Sequence, residues 1–452
     1  MLKENKKLAK FFNLAYQNFQ RNNLDVAKSF CLKILEEQPN NFESIFLLGS
    51  IYTRIKNFNK AQEFLEKAIS MRPNFIFSYN NLGNVFFESG KIKKAIYCYK
   101  KAIEIKPDYL IALNNLCVLL RNLKITDLDK IDQPSFKKIF LLLMKRNDID
   151  HSDIFFNAKL FLFFGKNNKE LEKWEKSNNL LLKNKKIKNF LKEELLLLML
   201  QKSIITDQFL EKILTKLRYE ILFTFFESKQ LLAEDYSYFI LSLSEQCFLN
   251  EYIFSKSDKE GFLVKKLLIH QEKGQKIDEL GLSILGCYIP LNNSETLKKK
   301  LLKYKSKNIL FNDLISMQIK DPLKEKNLIN SIQSFGKISD TVSKKVRKQY
   351  ESNPYPRWRY TYSVGSSNFL QILNHQLKPN IVESKFKFKN PNLLIAGCGT
   401  GNHIFLTKEY SNVKILAIDL SLTSLAYAKR KIDELGIKNV DFLHADILEL
   451  KN

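Results

Sequence analysis

The chain has 452 residues, too many for one hydrophobic core at roughly 150 residues per domain, and a net charge of +25. Only ten of its 73 basic residues are Arg, and the Lys is scattered among abundant Asn, Ile and Phe. That dispersal speaks against a built nucleic-acid-binding face, where Arg and Lys cluster.

Six cysteines (Cys31, Cys98, Cys117, Cys247, Cys287, Cys398) include no C-x-x-C pair and no metal-ligand spacing to His, so they read as small buried apolar groups in a reducing compartment. The N-terminus lacks the apolar stretch of a signal peptide. The apolar runs 160–164 and 195–200 fall far short of the roughly 20 residues of a membrane span. These features point to a cytoplasmic chain with neither a membrane nor a nucleic acid as its expected partner.

Pro39, Pro73 and Pro107 recur every 34 residues, the period of a helix–turn–helix solenoid. Leu48, Gly49 and Tyr52 fall in register with Leu82, Gly83 and Phe86, and Ala61 and Ala68 with Ala95 and Ala102. An earlier copy shows in Leu14, Ala15, Ala27 and Pro39, and a later one begins at Leu113 and Leu116. Small residues let paired helices approach, large ones fill between pairs, and each proline ends a second helix. Residues 8–121 thus resemble tetratricopeptide repeats. A repeat array of this kind implies a concave groove for a protein or peptide partner. Asn80, Asn81, Asn84, Asn114 and Asn115 offer amides that could hold an extended peptide by its backbone. Solvated helix positions explain the same residues equally well.

From 122 to 340 apolar residues keep helical spacing, predicting helices over 190–200, 207–226 and 232–252. His151 and His270 lie there without metal-ligand neighbours. The block 245–252 reads as a buried helix face carrying one or two hydrogen-bonded polar groups.

A connecting segment, 341–390, opens with Lys344, Lys345, Arg347 and Lys348 and continues through Tyr350, Asn353, Pro354, Tyr355, Pro356, Arg357 and Trp358. Its prolines force an extended path. Tyr355, Arg357 and Trp358 suit a lid over a neighbouring cleft, an interdomain strap, or a base-stacking surface.

The run 393–402 reads as a buried parallel strand breaking into a glycine-rich turn that opens a helix. Strands are expected at 392–396, 413–418 and 440–444, with helices at 403–409 and 422–435, giving β-α-β-α-β. Gly397, Gly399 and Gly401 allow close backbone approach. Asp419 ends the second strand, where it can hold a ribose diol, and Asp446 ends the third, where it can meet an adenine amine.

The G-x-G-x-G spacing, the acids at Asp419 and Asp446, and the Asn353–Trp358 stretch with repeats upstream resemble bacterial proteins that join tetratricopeptide repeats to a class I S-adenosylmethionine-dependent methyltransferase domain. The resemblance implies methyl transfer from S-adenosyl-L-methionine. Gly397, Cys398, Gly399, Thr400 and Gly401 would wrap the amino-acid end of the cofactor. Asp419 with Leu420 would hold the ribose, and Asp446 with Ile447 the adenine. Where many members carry an acid two positions before the first glycine, this chain has Ile395.

The sequence ends at Asn452, before the fourth strand of such a sheet. The expectation is therefore a multidomain α + α/β chain: an N-terminal solenoid (8–121), a helical middle (122–340), the connecting segment (341–390) and an incomplete Rossmann-like sheet (391–452). Such a chain would be a truncated product or fragment, or would be completed by another chain. Two alternatives stand beside the enzyme. One is a non-enzymatic repeat scaffold carrying a methyltransferase remnant, and the other is a glycosyltransferase-like repeat protein.

Overall fold

The computed structural model describes residues 2–123, 133–163, 173–174, 176, 181–352, 354–361, 368–376, 390–404, 410 and 412–450. The chain divides into two compact units, Met1–Phe136 and Lys137–Asn452.

The first unit is a stack of antiparallel helix pairs: α1 (Leu2–Gln20) with α2 (Leu24–Glu37), α3 (Phe42–Arg54) with α4 (Phe58–Met71), and α5 (Ile76–Glu88) with α6 (Ile92–Ile105). These are followed by α7 (Leu110–Arg121), which packs on α6. Ala15, Ala27, Ala61, Ala68, Ala95 and Ala102 are fully buried, as the small-residue pattern requires. The repeat also carries two devices less visible in sequence. A Cβ added at Gly83 would lie 2.5 Å from the ring of Tyr99, and one at Gly49 would lie 2.7 Å from Leu65 Cγ, so both glycines set the approach within a pair. The turn inside each pair holds one residue in the left-handed region: Asn22 (φ 63°), Lys56 (φ 60°) and Gly90 (φ 72°). Only Gly90 suits that conformation without a steric cost.

The second unit joins a helical layer to a small sheet. The layer includes α8 (Glu194–Lys202), α9 (Gln208–Glu227), α10 (Ser237–Leu249), α11 (Asp258–Lys273) and α12 (Asp321–Ile329). Two of the helices expected here are interrupted. The segment expected over 190–200 breaks between Leu191 and Glu194, and that over 232–252 breaks at Tyr236. The buried face of α10 carries the polar residues read from sequence. Gln246 donates to the Leu200 and Ser203 carbonyls at 3.1 and 2.7 Å and accepts from Ile205 N at 2.8 Å. Three hydrogen bonds let this amide be buried without penalty.

Among the described residues four parallel strands follow the order β1-β4-β3-β2: β1 (Gln333–Ser334), β2 (Asn392–Ala396), β3 (Lys414–Asp419) and β4 (Val440–His444). Residues 333–334 thus belong to the sheet, not to the helical middle in which the sequence placed them. β2 is not the fully buried strand expected. It pairs only with β3 among the described residues, and its positions alternate between half-buried and exposed. Among the described residues α14 (Leu422–Glu434, preceded by α13, Thr341–Ser352) packs one face, where Leu425, Ala426 and Ile432 meet Ala417, Ile395 and Ile332. On the other face Leu394 is 52% and Leu416 37% exposed. The helix expected over 403–409 lies mostly outside the described residues, as do Asn353 and most of 362–389.

Replacing Gly83 by Ala should push Tyr99 aside and cost about 1–3 kcal/mol, whereas Lys56→Gly should be neutral or gain up to about 1 kcal/mol. Thermal or denaturant melts read both. A Gly83→Ala variant as stable as the parent would show that the pair does not depend on this close approach.

Candidate functional site

The glycine turn follows β2 directly. Gly397, Gly399 and Gly401 have φ of 68°, 51° and 81°, a region side-chain-bearing residues rarely adopt. They serve different ends. A Cβ at Gly401 would strike Ala428 of α14 at 2.7 Å, so this glycine permits close packing of turn and helix. Around Gly397 and Gly399 nothing among the described residues lies within 4 Å of an added Cβ, which leaves the backbone open to a cavity of about 420 Å³.

Asp419, at the end of β3, accepts from Gly399 N at 2.8 Å and from Ser421 N at 2.9 Å. It thereby ties the turn to the start of α14, whose first residues Ser421 also caps through Ser424 N. Leu420 and Ile447 line the same cavity beside Cys398 and Thr400. Asp446 sits between the lining residues Ala445 and Ile447 and is 2% exposed. Its Oδ1 accepts from Leu448 N at 3.0 Å, and its buried Oδ2 has no hydrogen-bond partner among the described residues. An unpaired buried oxygen costs about 1–3 kcal/mol.

The aromatic-basic segment forms the opposite wall, to which Val346, Arg347, Tyr350, Tyr355 and Pro356 contribute. Trp358 is 8% exposed and donates through Nε1 to Thr400 O at 2.9 Å, while Thr400 Oγ1 donates to Pro356 O at 2.7 Å. Tyr427 of α14 donates to Trp358 O at 2.6 Å, and Thr423 Oγ1 to the Tyr350 and Glu351 carbonyls at 3.1 Å. Of the three residues read as a lid, Tyr355 lines the cavity and is 45% exposed. Trp358 is instead a buried strut under the glycine turn. Arg357 turns the other way, pairing with Glu251 and stacking 4.6 Å from the Phe248 ring.

Sequence reasoning missed the supports behind this wall. Arg359 donates to Glu245 Oε2 at 2.6 Å and to Gln201 O at 3.0 Å. Burial pushes the Glu245 carboxyl up to about 7 against the pull of Arg359. His444 bridges the sheet, with Nδ1 2.9 Å from Ser334 Oγ and Nε2 3.1 Å from Leu420 O. Because a carbonyl only accepts, Nε2 carries the proton. His151 is 2% exposed, with Nε2 3.0 Å from Arg146 O. Burial, then the charge of Lys202, holds its ring down to about 4.

In the first unit the amides read as a peptide groove face one another. Asn115 Nδ2 donates to Asn80 Oδ1 at 3.0 Å and Asn84 Oδ1 at 3.1 Å; Tyr99 donates to Asn84 at 2.7 Å, and Asn81 to Ser50 at 3.0 Å. Asn80 is 4% exposed, so the amides of Asn80 and Asn84 join α5 to its neighbours rather than standing ready for a ligand. Asn114 is half-buried.

Residues 42–75 and 76–109 each match the tetratricopeptide repeat family, and residues 387–452 match a methyltransferase domain. The chain therefore carries tetratricopeptide repeats near its N-terminus and a methyltransferase domain near its C-terminus. A stretch of 126 residues is 28% identical to an uncharacterized protein of Rickettsia prowazekii, covering 27% of this chain and 21% of that protein. The chain thus spans about a fifth of the length of the curated relative it matches.

Among solved structures, a mutant O-GlcNAc transferase of Thermobaculum terrenum is similar at 24% identity, over 31% of this chain and 26% of that one, with a TM-score of 0.27. A thermophilic TPR protein of Thermus thermophilus is similar at 16% identity, over 41% and 97%, with a TM-score of 0.26. No helix among the described residues is long and apolar enough to cross a membrane.

The depressed His151 value fixes a pH dependence. Between pH 6.5 and about 4 the unfolded chain takes up a proton that the folded chain refuses. The stability contributed by the neutral ring is complete above pH 6.5 and is lost as pH falls through that window, by on the order of 3 kcal/mol. In His151→Gln this share of the acid destabilisation should vanish from denaturant melts recorded at pH 7 and pH 4.5. An unchanged pH slope would mean that the ring is accessible to protons in the fold.

Proposed function

We propose that this chain takes part in methyl transfer from S-adenosyl-L-methionine, with its repeats recruiting the protein partner or substrate. The observation that carries the reading is the unpartnered Asp446 Oδ2 beside a cavity floored by Gly397 and Gly399 and flanked by Asp419. These residues fit the cofactor. The open backbone of Gly397 and Gly399 would take its amino-acid end. Asp419 holds two backbone N–H groups and retains lone pairs for a ribose diol. Asp446 Oδ2 would accept from the adenine amine, and Leu420 and Ile447 would flank the nucleoside.

When bound, the sulfonium supplies its own activated methyl group. The task left to the chain is to orient the cofactor and exclude water. Tyr355 and Pro356 would do this from the wall facing the turn, with Trp358 supporting them from behind.

Ile395 bears on how tightly the site would bind. It packs into the core under α14 and offers no carboxylate to the cofactor's amino group. That observation favours a second reading, a repeat scaffold whose methyltransferase domain binds no cofactor.

Calorimetry with S-adenosylhomocysteine separates the two. The methyl-transfer reading expects binding that Asp419→Ala weakens by about tenfold or more, the loss of a charge-assisted hydrogen bond. No heat from the folded chain, or equal affinity in Asp419→Ala, would defeat it.

A further inference from the structure

A second cavity, of about 270 Å³, lies behind the strap, between the helical layer and the glycine turn. Pro356 and Asn402 line both this cavity and the cofactor cleft, so the two meet at the amino-acid end of the proposed cofactor site. Its lining is amphipathic. Phe155, Ile204, Leu249 and Trp358 give an apolar wall; Lys202, Arg357 and Arg359 bring three cations against a single lining carboxylate, Asp150.

Two of those cations are already matched, Arg357 by Glu251 and Arg359 by Glu245. Asp150 is occupied in accepting from Ser152 N and Oγ at 2.9 and 2.5 Å. Lys202 differs. Its ammonium donates to Arg146 O at 2.9 Å and Asn147 Oδ1 at 2.7 Å, and sits 4.8 Å over the Tyr360 ring. Among the described residues no carboxylate comes within ion-pair distance of it. Burial and the nearby Arg359 charge hold it down to about 8. Beside it two further polar groups lack partners among the described residues. Ser203 Oγ is buried in a residue 5% exposed, and His151 Nδ1 is the proton-free nitrogen of a ring 2% exposed. Buried polar atoms are nearly always satisfied, so such a cluster lining a cavity points to a ligand.

We infer that this cavity binds a small molecule with an apolar body and a carboxylate, the carboxylate held by Lys202 and Ser203 and the body against Phe155 and Trp358. Liquid water occupies about 30 Å³ per molecule, so the space suits a ligand of roughly a dozen heavy atoms or fewer. Its position makes the carboxylate compound the methyl acceptor, and that role rests on the methyl-transfer reading above; the binding itself does not. A carboxylate oxygen methylated there would bond to the methyl carbon as the carbon–sulfur bond breaks, with its electron pair left on sulfur. No proton would have to be removed, so no general base is required.

Calorimetry on the full chain tests the site, with benzoate as the probe and uncharged benzamide as its isostere. Benzoate should bind about tenfold or more tightly than benzamide, the preference a charge-assisted contact gives. Lys202→Gln should abolish that preference. Ser203→Ala, which removes an unpaired hydroxyl and should leave the melting temperature unchanged or raised, should weaken benzoate alone. Titration of S-adenosylhomocysteine on the same samples should give one affinity for all three proteins. Equal binding of benzoate and benzamide, no benzoate binding, or a preference intact in Lys202→Gln would overturn the inference. Benzoate binding without S-adenosylhomocysteine binding would uphold the site and remove its role in methyl transfer.

Discussion

The second unit depends on a short chain of hydrogen bonds between the strap and the glycine turn. Trp358 donates into the turn at Thr400, Thr400 returns a bond to Pro356, and Tyr427 fixes the Trp358 carbonyl from α14. A glycine turn with three residues at positive φ has little intrinsic rigidity, since its backbone carries the largest conformational entropy in the unfolded chain. External bonds must hold it in the one shape that leaves Gly397 and Gly399 open to a cavity. Here they come from a segment more than 40 residues earlier, and from Asp419 on the next strand.

The strap is held in turn by the helical layer. Arg359 reaches Glu245 and the end of α8, while Arg357 reaches Glu251 and Phe248. Buried ion pairs contribute little net stability, because desolvation offsets most of their attraction, yet breaking one is expensive. Their value is directional: they fix which residues of the strap face the turn and which face the helices. The helical region is thus a working part of the second unit, since it supports one wall of the proposed cofactor cleft and most of a second cavity beside it.

Much of this was legible in the sequence, for physical reasons that differ by element. The 34-residue proline period exposed the solenoid, because every pair must end its second helix and bury the same small residues. The strands 392–396 and 440–444 stood out as short apolar or alternating runs between turn signals, and Gly397, Gly399, Gly401, Asp419 and Asp446 were visible because backbone approach and acceptor oxygens admit few residue types. β1 was not legible. Two residues, Gln333 and Ser334, paired along one edge leave no periodic trace. Nor was the burial of β2, which depends on which face α14 covers rather than on the strand's own residues. The Arg359–Glu245 pair spans 114 positions and the Ser334–His444 bond 110, and no local pattern encodes such partners. The amides of Asn80 and Asn84 were conspicuous, but sequence could not tell an amide facing a groove from one facing the next repeat.

In the proposed methyl-transfer reading the glycine turn, the end of β3 and the strap respond to a ligand as one surface. Hydrogen–deuterium exchange of the full chain with and without saturating S-adenosylhomocysteine tests this. Peptides covering 346–358, 397–401 and 419–421 should exchange more slowly together, with the strap and the turn responding as a unit. Exchange unchanged in all three, or protection of the turn while 346–358 exchanges as before, would contradict it.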